Sequence, residues 1–286
     1  KLTLEDEMEL PGGLLVDNQI RRDFSFKPMT GFIERAIAES GLEASGLPQQ
    51  VTSILTTSLN KVAGLAVNRQ LVLSLSSGDR LFLMLQLEAS IKPEIKWMTA
   101  SCQHCKELIQ FQYKPGSMPV KLAGENFPRG PLSLSFADVS IRVPNGSDEE
   151  YIAQMGTQAS STMEHLLARL LNEPDFSADI HSLTNQDKEL IDNTLDLMAA
   201  QPGESVSISC PFCSHQQQIF IDNYAWINTE TDNIDEEVHT LASQYHWSEN
   251  DILSLSRNRR KCYLQLIEKS QNTSQTENKF QSSGSL

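Results

Sequence analysis

Polar and apolar residues alternate along this chain in short runs that come in matching pairs. Leu108-Ile-Gln-Phe-Gln-Tyr113 and Gln218-Ile-Phe-Ile221 have the period of two expected of half-buried strands. Each run leaves a two-cysteine turn. Each turn is entered by another strand-like run, Ile95-Lys-Trp-Met-Thr-Ala-Ser101 before the first and Val206-Ser-Ile-Ser209 before the second. Two more alternating segments, Asp23-Phe-Ser-Phe-Lys-Pro-Met-Thr-Gly31 and Asp138-Val-Ser-Ile-Arg-Val-Pro-Asn-Gly146, end at turns that lead into helical segments at 32–40 and 147–154. Longer helical patterns follow at 47–62 and 71–87, then at 160–171 and 184–200, with Pro48 suited to a first turn. In the last of these, Leu190, Ile191, Thr194, Leu195 and Met198 mark one buried stripe. Thr184 with Asp187 forms a capping signature, and Pro202-Gly203 ends the helix.

The pairing predicts an internal duplication, each half reading strand, three helices, hairpin knuckle. Pro28 and Pro144 are offset by 116 residues and the cysteine turns by 108, a difference that small insertions explain. The predicted fold class is α+β: a duplicated strand–helices–knuckle unit sharing one zinc-ribbon-like site of four cysteines, plus a C-terminal helical hook. The first repeat covers 1–115, a linker 116–137, the second repeat 138–228, the hook 229–269 and a disordered polar tail 270–286.

The turns are Cys102-Gln-His-Cys105 and Cys210-Pro-Phe-Cys213, and they use four of the five cysteines. A tight turn with Cys at both ends of a two-residue spacer aims two thiolates at one point. A second such turn completes a tetrahedron for Zn²⁺. One knuckle supplies two ligands where a structural zinc takes four, so the halves are predicted to share one Zn²⁺ ion per chain through Cys102, Cys105, Cys210 and Cys213. Two alternatives are a separate site in each half using His104 or His215, and unrelated turns with reduced thiols. The histidines are badly placed as third ligands of their own turns, and each half would still lack a fourth. Cys262, in Arg-Arg-Lys-Cys-Tyr-Leu, reads as a packing residue.

Length and charge narrow the classes further. At 286 residues the chain is long enough for a full core, and no run of 18 apolar residues predicts a membrane span. The acidic start, Lys1-Leu-Thr-Leu-Glu-Asp-Glu7, lacks an initiator Met and the regions of a secretory signal, so a cytosolic protein with reduced cysteines is expected. A net charge of −14 argues against a general nucleic-acid binder, which needs a basic face. A zinc-ribbon regulator that binds nucleic acid is the rival reading, but only Lys106 and Lys114 are basic near the knuckles.

No phosphate-binding glycine loop, nucleophile elbow or HExxH motif occurs, and His104, His165, His181, His215, His239 and His246 are scattered. Acidic groups such as Asp148-Glu149-Glu150 and Asp235-Glu236-Glu237 read as first-turn charge on helices. A closed four-thiolate site leaves no open metal position for catalysis. The expectation is therefore no enzymatic activity, no catalytic residue and no small-molecule substrate. In the hook, Asp235 to Tyr245 is one helix, and Ser248 with Asp251 caps a second whose apolar side holds Ile252, Leu255, Tyr263, Leu266 and Ile267. Trp247, Ile252, Leu255, Arg257 and Arg260 are its candidate partner-binding residues.

Several pieces, in order, resemble a family of contractile phage tails and phage-like contractile injection systems, the baseplate hub or hub-assembly family. They are Leu10-Pro-Gly-Gly-Leu-Leu-Val-Asp17, Phe26-Lys-Pro-Met-Thr-Gly31, Gly78-Asp79-Arg80 with Leu81 to Leu87, and the Cys102/Cys105 knuckle. Arg142-Val-Pro-Asn-Gly-Ser-Asp148, Leu166-Leu-Ala-Arg-Leu-Leu171 and the Cys210/Cys213 knuckle follow, and the stretch from His246 to Arg260 is similar to small modules encoded beside baseplate genes. The resemblance spans roughly 10–268. It implies a structural or assembly role at the inner baseplate, with hub, spike or tube-initiator proteins as partners and neither nucleic acid nor membrane insertion. It places the chain in the bacterial cytoplasm during assembly and then in the baseplate of the particle.

Overall fold

A computed structural model describes residues 8–42, 44–155, 159–171, 183–224, 227 and 234–282. The acidic start 1–7, the predicted boundary at 228/229 and the tail's end at 283–286 lie outside those residues. The chain is mixed α+β.

The first part opens with a hairpin, β1 (Met8–Val16) and β2 (Gln19–Phe26), turned by Asp17 and Asn18, both at positive φ. Helices α1 (Gly31–Leu42) and α2 (Leu47–Ser58) follow, with Pro48 in the first turn of α2. The helical pattern read at 47–62 stops early. Leu59–Val62 is strand β3, and with β4 (Leu65–Ala66) it completes a four-stranded sheet in the order β1-β2-β3-β4. The pattern at 71–87 is likewise two helices, α3 (Arg69–Ser74) and α4 (Ser77–Ile91), broken at Leu75 and Ser76. The break occurs because Ser76 turns extended and caps α4, its hydroxyl accepting from the Asp79 N–H. Leu10, Phe24, Ile54, Leu55, Leu59, Val62, Leu83, Met84 and Leu87 form the core of this part.

Strands β5 (Lys96–Ser101) and β6 (Leu108–Tyr113) make the first knuckle hairpin. The stretch 116–137, predicted as a linker, contains strands: β7 (Val120–Lys121) and β8 (Arg129–Ser133). β8 pairs with β9 (Asp138–Arg142), since Gly130, Leu132 and Ile141 alternate inward on that hairpin. Helices α5 (Gly146–Met155), α6 (Ala159–Leu171) and α7 (Asn185–Met198) come next. Leu132, Ile141, Val143, Leu170, Leu171, Ile191 and Met198 build a second core. β10 (Gln201–Pro202) pairs with β7, and β11 (Ser205–Ser209) with β12 (Gln216–Phe220) forms the second knuckle hairpin.

Each part therefore runs hairpin, helices, knuckle hairpin. The knuckle hairpins pack face to face, burying Phe111, Tyr113 and Ile221 with Met98, Val206, Ile208 and Ile219 between them. The hook comprises α8 (Ile234–Tyr245), α9 (Glu249–Ser254) and α10 (Arg257–Ser282). α10 continues past Ser270, where the polar composition predicted disorder. No proline or glycine interrupts 257–282, and its Gln, Glu and Lys residues favour helix. Among the described residues no helix is long and apolar enough to cross a membrane.

Candidate metal centre and the junction between the halves

The two knuckles have the same backbone. In the first, the Cys102 N–H donates to Glu107 O (2.9 Å) and the Lys106 N–H to Cys102 O (3.0 Å). In the second, the Cys210 N–H donates to His215 O (2.9 Å) and the Ser214 N–H to Cys210 O (2.8 Å). Lys106 and Ser214, each just after the second cysteine, sit at φ 65° and 60°. That left-handed step reverses the chain and leaves both sulfurs of a turn on one side.

Face-to-face packing of the hairpins brings all four sulfurs to one point. Cys102 Sγ lies 3.7 Å from Cys213 Sγ, and Cys105 Sγ lies 3.6 Å from Cys210 Sγ. All four lie within 4.8 Å of one another. A tetrahedral ion with thiolate bonds of about 2.3 Å sets its sulfurs about 3.8 Å apart, so the cluster has the size of a single four-coordinate metal site. Cys102 and Cys210 are buried, and Ile109 and Ile208 pack against the sulfurs. The separate-site alternative is not what forms: His104 and His215 stack on each other, centroids 5.5 Å apart, and are not members of the cluster.

Backbone N–H groups tune the thiols. Those of Cys105 and His104 point at Cys102 and hold its thiol down at about 6. The Glu107 N–H acts the same way on Cys105, but burial and protons shared with the other three thiols outweigh it and push Cys105 up to about 12. Cys213 is raised as well, its own N–H donor from His215 being outweighed by burial and by the hydrogen bonds with Cys210 and Cys102. Cys102 carries charge readily while Cys105 and Cys213 hold their protons, because anions this close need a cation between them. Gln217, unremarked in the sequence, ties the knuckles together: it accepts from the Gln103 N–H (2.8 Å) and its amide donates to Ser101 O (3.4 Å). A Gln opposite a knuckle in an adjacent hairpin is visible only once the hairpins are paired.

The second junction is built on α4. Asp79, fully buried, accepts from the N–H groups of Gly12 (2.7 Å) and Gly13 (3.0 Å) and from the Ser76 hydroxyl (2.8 Å). Burial raises its carboxyl above the ordinary range despite these donors. The donors are available because β1 is irregular between Glu9 and Leu14, and Gly13 stands at φ +99°, which only glycine takes without strain. Arg80, also fully buried, crosses to the second half. Its Nε donates to Glu149 (2.8 Å), and its two terminal nitrogens donate to Val72 O, Pro48 O and the Thr52 hydroxyl (3.1–3.2 Å). On α7, Asp187 plays the role of Asp79. It closes a capping box with Thr184 and accepts from the Ser135 N–H and hydroxyl, each at 2.7 Å.

The candidate partner-binding residues are engaged within their own chain. Ile252 is buried, Trp247 stacks on Tyr245 and meets Tyr263 edge-on, and Arg260 is buried against Glu34 and Glu237. Arg257 also reaches Glu34 (3.4 Å), and the Leu255 carbonyl accepts from Arg260 and from the Gly31 N–H. Cys262 is exposed.

Fold and site together define a mixed α+β protein with a four-cysteine cluster fit for one metal ion. No protein-family model matches the chain, and neither a curated protein nor a solved structure matches it.

Proposed function

We propose that this chain is a non-enzymatic, zinc-stabilised structural or assembly component of the inner baseplate of a contractile tail or contractile injection system. The observation that carries this reading is a convergence. Three motif segments of the baseplate resemblance are far apart in sequence: Leu10-Pro-Gly-Gly13, Gly78-Asp79-Arg80 and Val143-Pro-Asn-Gly146. They meet at the first turn of α4, where Asp79 holds Gly12 and Gly13 and Arg80 reaches the α5 start, with a Gly146 N–H bond to Leu75 O of 3.2 Å. Of the residues that carry the resemblance, Arg80 and Gly146 join the halves, while Asp79 ties Gly12 and Gly13 to the start of α4.

Zinc is the metal we assign to the cluster, since four thiolates in tetrahedral spacing select a soft, closed-shell ion. The two halves descend, in this reading, from one duplicated unit. Cys102 and Cys210 are 108 residues apart, as are Cys105 and Cys213, and so are the cap acids Asp79 and Asp187. The duplication gives the molecule two related faces, held at a fixed angle by the metal and by Arg80, which suits a part joining neighbours of different symmetry. Hub, spike or tube-initiator proteins are the partners this implies. Mass spectrometry of purified, sheath-competent particles should detect the chain if it is a component, and deletion should block particle formation. Normal particles from the deletion strain would refute both the structural and the assembly role.

A further inference from the structure

The junction fastened by Arg80 encloses a cavity of about 300 Å³, at the lower end of the range of ligand sites. Its walls come from both halves. The first two turns of α4, through Leu81, form one side, and Val143 and Glu149 form another. Ala199 and Glu204, on either side of β10, and Tyr224, beyond β12, complete it. Short contacts fix these walls against each other. The Ser77 N–H donates to Pro144 O (3.0 Å), and the Ile221 N–H donates to Glu204 O (2.8 Å). At Gly78 a Cβ would stand 1.9 Å from Ala200 O, so only glycine lets that carbonyl close against α4.

The lining is apolar at Leu81, Val143 and Ala199 and polar at Glu149, Glu204 and Tyr224. Among the described residues no lysine, arginine or histidine lines it. Arg80, behind Glu149, gives its Nε to Oε2, and its terminal nitrogens bond Val72 O, Pro48 O and the Thr52 hydroxyl. That pairing neutralises Glu149 and leaves its Oε1 open. Glu204 is exposed and has no ionic partner among the described residues. The cavity therefore holds one carboxylate more than it has cations. Tyr224 is half-buried, its ring packed against the first core, and its hydroxyl has no partner among the described residues. Burial, then the charges of Glu149 and Glu204, raise that hydroxyl, so it keeps its proton and the ring stays neutral.

We propose that this cavity binds an alkylguanidinium ion, its charged end between Glu204, Glu149 Oε1 and the Tyr224 ring, and its stem against Leu81, Val143 and Ala199. A guanidinium suits such a lining because its planar fork meets carboxylates and its plane lies over an aromatic ring. A metal ion does not suit it, since the four cysteines are the only group of three or more metal-ligating side chains among the described residues. Two sources carry this chemistry, a free guanidino compound and the arginine side chain of a partner protein, which a chain of net charge −14 attracts. The inference rests on the cavity and not on the baseplate reading, so either can fail alone.

The test is a titration of full-length, metal-loaded protein at constant ionic strength, followed by NMR at the amides of Gly78, Leu81, Ala200 and Glu204. Butylguanidinium should shift them saturably, with a Kd of about 1–10 mM for so small a ligand. Butylurea, its neutral isostere, should not. Glu204→Gln should weaken binding about tenfold and Tyr224→Phe about threefold, and neither substitution removes a side-chain bond that holds the fold. The absence of a saturable shift at about 50 mM butylguanidinium overturns the proposal. So does an equal response to butylurea, or a Glu204→Gln protein that binds as tightly as wild type. N-acetyl-arginine N-methylamide then separates the sources. Binding at least as tight as that of butylguanidinium assigns the site to a partner's arginine, and weaker binding assigns it to a free guanidino compound.

Discussion

Replacing Arg80 by methionine is expected to cost about 3 kcal/mol of stability, the low end for breaking a buried ion pair from one side. The low end applies because the orphaned Glu149 side chain is 25% exposed and can recover water, whereas the Arg80 side chain is 0% exposed. Methionine fills most of the vacated space, so the loss is one of charge and hydrogen bonds: Val72 O, Pro48 O and the Thr52 hydroxyl each lose a donor. Arg80→Ala leaves the same groups unpaired and adds a cavity, for a total of about 4–5 kcal/mol. Arg80→Lys keeps a charge but not the planar fork, and should fall between wild type and methionine. The assay is urea unfolding of metal-loaded protein, with hydrogen exchange read at the start of α5. Amides from Gly146 to Glu149 should lose protection before those of the first core, because Arg80 holds that helix start to α4. If Arg80→Met costs under about 1 kcal/mol, or exchange at 146–149 is unchanged, the claim that this arginine fastens the halves together is wrong.

Calorimetry of metal binding in buffers of different ionisation enthalpy should show about one more proton released per ion at pH 5 than at pH 7.5. Cys102, held near 6, is protonated at the lower pH and ionised at the higher; equal release at both would refute that assignment. Cys102→Ser and Cys210→Ser should each abolish stoichiometric binding, and each should loosen both knuckle hairpins, read as faster exchange of the Ile109 and Ile208 amides. Loosening of only the mutated knuckle would argue against a shared ion. Acid should also destabilise the fold. Hydrogen bonds from Thr184 and Ser135 hold Asp187 low, and those from Arg142 and Arg169 lower Asp148 against the opposing effect of burial. Their contribution is present above the unfolded value of about 4 and is lost as pH falls towards the folded ones. Denaturation midpoints should therefore drop below pH 4, and less so in Asp187→Asn. Gly146→Ala should destabilise by an amount similar to Arg80→Met, since the new methyl lies against the guanidinium; a neutral effect there would count against the close approach.

Much of the metal centre was legible in the sequence because its signal is local. A Cys-x-x-Cys turn between two alternating runs specifies its own hairpin, and two such turns leave one arrangement that supplies four ligands. The caps Thr184–Asp187 and Ser248–Asp251 were legible for the same reason, each being closed within four residues. The helix breaks at Leu75 and Leu255 were not, because apolar periodicity runs straight through them: at the first, Ser76 caps the next helix, and at the second, the extended Leu255 gives its carbonyl to Gly31 and Arg260. The strands β7 and β8 looked like linker because their partners, β10 and β9, give them order.

By itself, then, the sequence determined the knuckles, the caps and the alternation of hairpins with helices, all of which depend on neighbours within a few residues. Only the tertiary structure decided how Asp79 and Arg80 are used. A buried charge is stable only where distant groups complete its hydrogen bonds, and Gly12 and Gly13, Pro48 and Thr52, and Glu149 come from three separate elements, β1, α2 and α5. The same holds for the hook, where Arg260 is buried because Glu34, 226 residues away, is there to receive it.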